Sequence, residues 1–171
     1  MRVATLETIF RTLNAYGVRY LVVGGVAVNV YGYVRGTQDL DLVIDLREDN
    51  IRRATAALQE LEYRPMVPVR IEEFADVEQR RRWVEERNME VFSLVSERYR
   101  DTVVDIFVHQ PFNFDLEYER SQEHRLSHDV SFRVARLESL IAMKQVVDRD
   151  RDRDDVSHLR MIQAERAGGE E

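Results

Sequence analysis

Asp39 and Asp41 stand two apart in Thr37-Gln38-Asp39-Leu40-Asp41-Leu42-Val43-Ile44. A strand repeats every second residue, so both carboxylates leave the same face. A third, Asp105, is embedded in Val103-Val104-Asp105-Ile106-Phe107-Val108. An ionised carboxylate among such neighbours is costly unless a cation or a donor compensates it. If the strands are adjacent, each negative charge opposes ionisation of the next until a divalent ion binds. Two magnesium ions about 3.5 to 4 Å apart would suit that set, one polarising an attacking hydroxyl, the other holding a triphosphate and its leaving pyrophosphate. Asp39 and Asp41 would bridge the ions, with Asp105 on the nucleophile side as ligand and candidate proton acceptor. The plainer alternative for Asp-x-Asp is the solvated face of an edge strand, which shows the same alternation.

Upstream, the apolar run Tyr20-Leu21-Val22-Val23 ends in Gly24-Gly25. Glycines between a strand and a helix can turn backbone N–H groups toward an anion, with the helix N-terminus adding partial positive charge. Glycine pairs also end strands where no ligand binds. The segment is neither a Walker loop nor a Gly-x-Gly-x-x-Gly dinucleotide fingerprint.

The elements that must position these groups follow from periodicity. Leu6, Ile9, Phe10 and Leu13 predict a helix over residues 5–16, ended at Gly17. Residues 19–23 read as a buried strand, 25–31 as a short apolar helix and 38–44 as the aspartate strand. Ile51, Ala54, Leu58 and Leu61 predict a helix over 49–61. Pro65 and Pro68 then break the pattern, and a charged stretch near 64–88 surrounds the only tryptophan, Trp83. It reads as a helical insertion whose charges form a solvated face. Strands are expected over 89–95, 102–108 and 130–134, then two short helices joined near 149–153, with Leu137, Leu140, Ile141 and Val147 on one stripe and Val156, Leu159 and Ile162 on the next. The expected division is a core over 1–135, C-terminal helices of the same domain over 136–166, and a frayed tail over 167–171.

Composition narrows the class. With 171 residues, 44% of them hydrophobic, seven Gly and three Pro, the chain fits one domain with a real core. No run approaches the roughly 20 apolar residues of a membrane helix and the N-terminus lacks a secretory block, so a soluble, cytoplasmic protein is expected. Without cysteine, a metal must be held by oxygen or imidazole, and clustered Asp favours a hard cation such as Mg²⁺. His109, His124, His128 and His158 show no zinc-helix spacing. The net charge of −7 argues against a broad phosphate-gripping surface, though not against a local basic groove.

Of the 25 basic residues 24 are Arg, and Lys144 is the sole lysine. It lies between Ile141 and Val147, where it either meets a ligand or snorkels from the core edge. Arg35 and Thr37 precede the aspartates on a loop and either order the carboxylates, reach a nucleotide or serve structure alone. Arg149 with Asp152 and Asp155 closes a cleft or, on local chemistry, forms a helix cap with an acidic first turn. Asp45 shares the parity of Asp39 and Asp41, but at the strand end it reads as the start of a turn or a helix cap.

Gly24-Gly25, then Arg35-x-Thr37-x-Asp39-x-Asp41, then Asp105 on a later strand, resembles the nucleotidyltransferase superfamily that includes DNA polymerase β. Within it the pattern looks nearest to small prokaryotic abortive-infection and toxin–antitoxin members and to enzymes that nucleotidylate antibiotics. Leu140-Ile141-Ala142-Met143-Lys144, Arg149, Asp152, Asp155 and Leu159 resemble the helix pair that follows such a core. The resemblance implies an α+β fold, a small mixed sheet flanked by helices. It implies that Gly24 and Gly25 touch the triphosphate, that Asp39, Asp41 and Asp105 hold Mg²⁺, and that Lys144 neutralises phosphate charge.

Three functions are therefore in competition. One is a Mg²⁺-dependent nucleotidyltransferase that moves a nucleoside monophosphate from a nucleoside triphosphate to a hydroxyl on RNA, protein or a small molecule, within a toxin–antitoxin or phage-defence system or outside one. Another is a non-catalytic module of the same fold that senses a nucleotide or binds a cognate toxin or antitoxin protein. The third is a structural domain whose aspartates merely decorate an edge.

Overall fold

Leu6, Ile9, Phe10 and Leu13 recur at helical spacing and are buried along one side of α1 (Val3–Ala15). The ring of Phe10 stacks between Tyr20 and Phe132, tying this first helix to strands from both ends of the chain. In the computed structural model, residues 1–147 and 149–168 are described. After α1 come β1 (Tyr20–Val23), α2 (Gly24–Tyr31), β2 (Asp39–Ile44), α3 (Glu48–Glu60) and β3 (Tyr63–Pro65). A 3-10 turn (Ile71–Ala75), α4 (Val77–Arg87), β4 (Val91–Ser96), β5 (Val103–Phe107), α5 (Phe114–Arg120), β6 (Gln122–Arg125), β7 (Ser131–Val134), α6 (Leu137–Val147) and α7 (Asp150–Gly168) complete the fold.

The strands form one mixed sheet in the order β3-β4-β5-β2-β1-β7-β6. β2 runs parallel to β5 and antiparallel to β1, so the three strands of interest are consecutive neighbours. Leu40, Leu42, Val104, Ile106, Phe92 and Leu94 fill the core beneath them. α1 and α3 pack together, while α2 contacts β1, β2, α6 and α7. The α+β architecture is therefore a mixed sheet with helices around it, as the family resemblance implies. No helix among the described residues is long and apolar enough to cross a membrane.

The charged stretch is built into the sheet. β3 pairs with β4 at the edge, and α4 turns Trp83 and Arg80 inward while most of its other charged side chains remain exposed. Trp83 and Phe74 both stack on Phe92, and the Arg80 guanidinium donates to the carbonyl of Phe74. Thus aromatic packing fixes a segment whose composition reads only as solvated. The sequence reading also passes over β3, α5 and β6: these elements are short, and β6 is polar throughout. The final helix is long rather than short, 19 residues, and includes Ala167 and Gly168 of the expected frayed tail; residues 169–171 lie outside the described ones.

Candidate active site

The site lies where β1 ends and β2 begins. Val23 is the register partner of Asp41, so the chain must turn away immediately beside that carboxylate. Gly24 does so with φ +62°, a left-handed conformation that glycine adopts freely. A Cβ added there would meet Asp41 Oδ2 at 2.0 Å, so glycine is also required by the close approach. Gly25 is packed just as closely: its missing Cβ would lie 2.6 Å from Thr37 Oγ1 and 3.2 Å from an Arg35 guanidinium nitrogen. α2 starts on this pair without a side-chain cap, and the Gly25 N–H supports the Asp41 carboxylate.

Across β2 and β5, Asp41 and Asp105 are register partners in a parallel pair. Both side chains therefore leave the same face, with Asp39 one repeat along on that face and more exposed. Burial pushes Asp41 up to about 7, Asp105 and Asp39 push it further in the same direction, and the Gly25 N–H and Lys144 oppose them. Burial likewise raises Asp105, with Asp39 adding to it and a hydrogen bond from Ser93, its register partner on β4, working against it. Asp105 Oδ1 is buried without a hydrogen-bond partner.

These are the marks of a carboxylate set that wants a cation. An orphaned buried oxygen, mutual repulsion and all-oxygen donors fit a hard divalent ion such as Mg²⁺. Among the described residues no three acidic or histidine side chains are yet gathered tightly enough to cage an ion by themselves. Asp41 and Asp105 stand side by side on neighbouring strands, and Asp39 is the more exposed member.

Arg35 and Lys144 reach this neighbourhood from other elements. Asn29 on α2 holds the Arg35 backbone at both its N–H and its carbonyl, at 2.9 Å each. The Arg35 guanidinium donates twice to Asp155, at 2.6 Å each. Lys144 Nζ lies 2.6 Å from the same carboxylate and 3.1 Å from Asp152. Asp155 is fully buried; burial alone would raise it, but Arg35 and Lys144 bring it below the ordinary carboxylate range. The cap expected of Asp152 and Asp155 is not found: both lie inside α7, and both face Lys144. Sequence reasoning gave Asp155 a local role because its partners are 120 and 11 residues away. The available signal was its place one helical turn before Leu159, a charge on an apolar stripe.

Asp45 sits at the far end of β2, apart from the aspartate face, buried and paired with Arg19 and Arg47. It accepts the Arg47 N–H at 3.0 Å and so holds a turn, whereas α3 begins after Arg47 with no side-chain cap.

No protein-family model and no curated protein sequence matches the chain. Solved structures do. The solution structure of the antibiotic-resistance factor ANT(2'')-Ia aligns with 98% of this chain and 93% of its own at 14% identity and a TM-score of 0.56. The crystal structure of ANT(2'')-Ia in complex with adenylyl-2''-tobramycin aligns with 97% of this chain and 95% of its own, again at 14% identity, with a TM-score of 0.58. At that identity the likeness is one of architecture, and it extends over nearly the whole length of both chains: this protein shares the α+β fold of those structures.

Proposed function

We propose that the chain is a Mg²⁺-dependent nucleotidyltransferase that moves a nucleoside monophosphate from a nucleoside triphosphate to the hydroxyl of a small molecule. The observation that carries this reading is the register pair Asp41 and Asp105 on one sheet face, electrostatically frustrated, with Asp41 set against the Gly24 bend. The matching structure of ANT(2'')-Ia with an adenylylated tobramycin supports a compact hydroxylated acceptor of that kind.

Asp39, Asp41 and Asp105 would hold the magnesium. When bound, it supplies the positive charge that draws the triphosphate and the acceptor oxygen together. Backbone N–H groups of the bend and of the first turn of α2, other than the Gly25 N–H that Asp41 takes, receive phosphate oxygens. The acceptor oxygen attacks the α-phosphorus, the bond to the bridging oxygen of the leaving group breaks, and pyrophosphate departs with that electron pair. Asp105, on the nucleophile side of the set, accepts the hydroxyl proton. Lys144 and Arg35 offset phosphate charge, and Thr37 together with Arg35 buttresses the bend. Catalysis is then positioning and charge stabilisation, with no covalent enzyme intermediate.

A place in a toxin–antitoxin or phage-defence pair rests on the motif resemblance and would make the acceptor an RNA end or a protein. A non-catalytic nucleotide-binding module is the alternative, favoured by one observation: the acidic partners of Arg35 and Lys144 leave neither cation unopposed. Turnover separates the readings. The protein is incubated with Mg²⁺, each α-labelled nucleoside triphosphate, and either tobramycin or a cytoplasmic extract. Transfer of label that disappears in Asp105→Asn is expected; transfer undiminished by that substitution overturns the mechanism.

A further inference from the structure

α7 reaches back over the loop that precedes the aspartate strand. Tyr33 donates its hydroxyl to Asp154 at 2.6 Å and stacks on His158 with ring centroids 3.8 Å apart. Arg151 donates to the carbonyl of Gly36. Between them Asp155 takes the forked pair of hydrogen bonds from Arg35, and from the other side the ammonium of Lys144. Loop, α6 and α7 thus converge on one carboxylate that has no exposure to water.

The arrangement has a direction. An Arg35 guanidinium nitrogen lies 3.2 Å from where a Cβ on Gly25 would be, and the same guanidinium is forked onto Asp155, so the bend, the loop and Asp155 form one contact chain. Lys144 joins the same chain from α6, because its Nζ meets Asp152 and the Asp155 carboxylate that Arg35 also holds. A buried carboxylate is tolerated only with its charge and lone pairs matched, and an Arg fork plus a lysine does that from two elements distant in sequence. A lysine has four rotatable side-chain bonds and would otherwise wander.

We propose that Asp155 is a positioning residue: it fixes Lys144 and Arg35 beside the glycine bend, so that an incoming triphosphate meets two pre-aimed cations instead of two mobile ones. The proposal rests on the nucleotidyltransferase reading for what the cations are held to do. It adds a role for α7 that the aspartate and glycine motifs do not contain.

The chain offers an unusually clean test because Lys144 is its sole lysine. Protein labelled with ¹⁵N-lysine gives one side-chain ammonium resonance. In the wild type it should be protected from exchange with water, and in the near-isosteric Asp155→Asn it should broaden beyond detection. Calorimetry with Mg²⁺ and each nucleoside triphosphate supplies the second arm. Asp155→Asn should weaken binding about tenfold or more, Asp155→Glu should recover part of the loss, and in a Lys144→Met background the Asp155→Asn effect should shrink, since coupled partners are non-additive. An unchanged ammonium resonance in Asp155→Asn, or losses that simply add in the double variant, overturns the positioning role. Failure of the wild type to bind any of the nucleotides instead overturns the functional reading, whatever the resonance shows.

Discussion

Asp41 on β2 and Asp105 on β5 are register partners across a parallel strand pair, 64 positions apart in the chain and side by side on one sheet face. Burial first, and then the neighbouring charge of Asp105, keep a proton on Asp41 up to about pH 7 in the absence of a counter-charge. A site that resists its own ionisation is ready for a cation.

In metal-free protein, Asp41→Asn should raise thermal stability. The folded carboxyl titrates near 7 and the unfolded one near 4, so the native state binds more protons between those values and loses stability as pH rises through them. The benefit of Asp41→Asn should therefore be absent near pH 4, grow up to about pH 7 and level off above it, at on the order of 1 to 3 kcal/mol. Melting curves from pH 4 to 8 check the sign. The same variant should have no transferase activity.

Magnesium should do for the wild type what Asn does for the variant. Its addition at pH 8 should raise the melting temperature, and the rise should vanish in Asp41→Asn and Asp105→Asn, because a ligand that binds only the folded state stabilises it by mass action. A wild type whose melting temperature ignores Mg²⁺ at pH 8 would contradict the assignment of these carboxylates.

Gly24→Ala should abolish nucleotide binding and destabilise the fold. The new methyl group would be driven into Asp41, on a backbone with φ +62°. Gly32→Ala makes the comparison, because Gly32 also has positive φ but has open space around its missing Cβ. It should cost about 1 kcal/mol of stability and leave nucleotide binding intact. Calorimetry and melting of the two variants separate the close approach from backbone strain.

Asp45→Asn is expected to affect folding and not the reaction. Burial alone would raise the Asp45 pKa, but hydrogen bonds and charge from Arg47, helped by Arg19, bring it below the ordinary value. That stability is present above the unfolded pKa and is lost as pH falls through the folded one. Asp45→Asn should therefore destabilise by about 1 to 2 kcal/mol near neutrality, a figure kept small by the exposure of Arg47, and by progressively less as pH falls below about 4. Its nucleotide affinity should match the wild type.

The sequence by itself determined what repeats over short distances. Alternation placed Asp39 and Asp41 on one face, helical spacing placed the apolar side of α1 and α3, and Gly24–Gly25 marked the turn, because each of these depends on neighbours within one or two turns of chain. Tertiary structure alone decided the partnerships. It set Asp105 opposite Asp41, stacked Trp83 of a charged helix on Phe92, and drew Arg35 and Lys144 onto Asp155. From local chemistry Asp155 reads as a cap, because a carboxylate near a helix start meets its nearest donors there. In the folded protein it is buried on the inner face of that helix, and only the packing of α7 against the loop and α6 brings it two cations strong enough to hold its charge away from water.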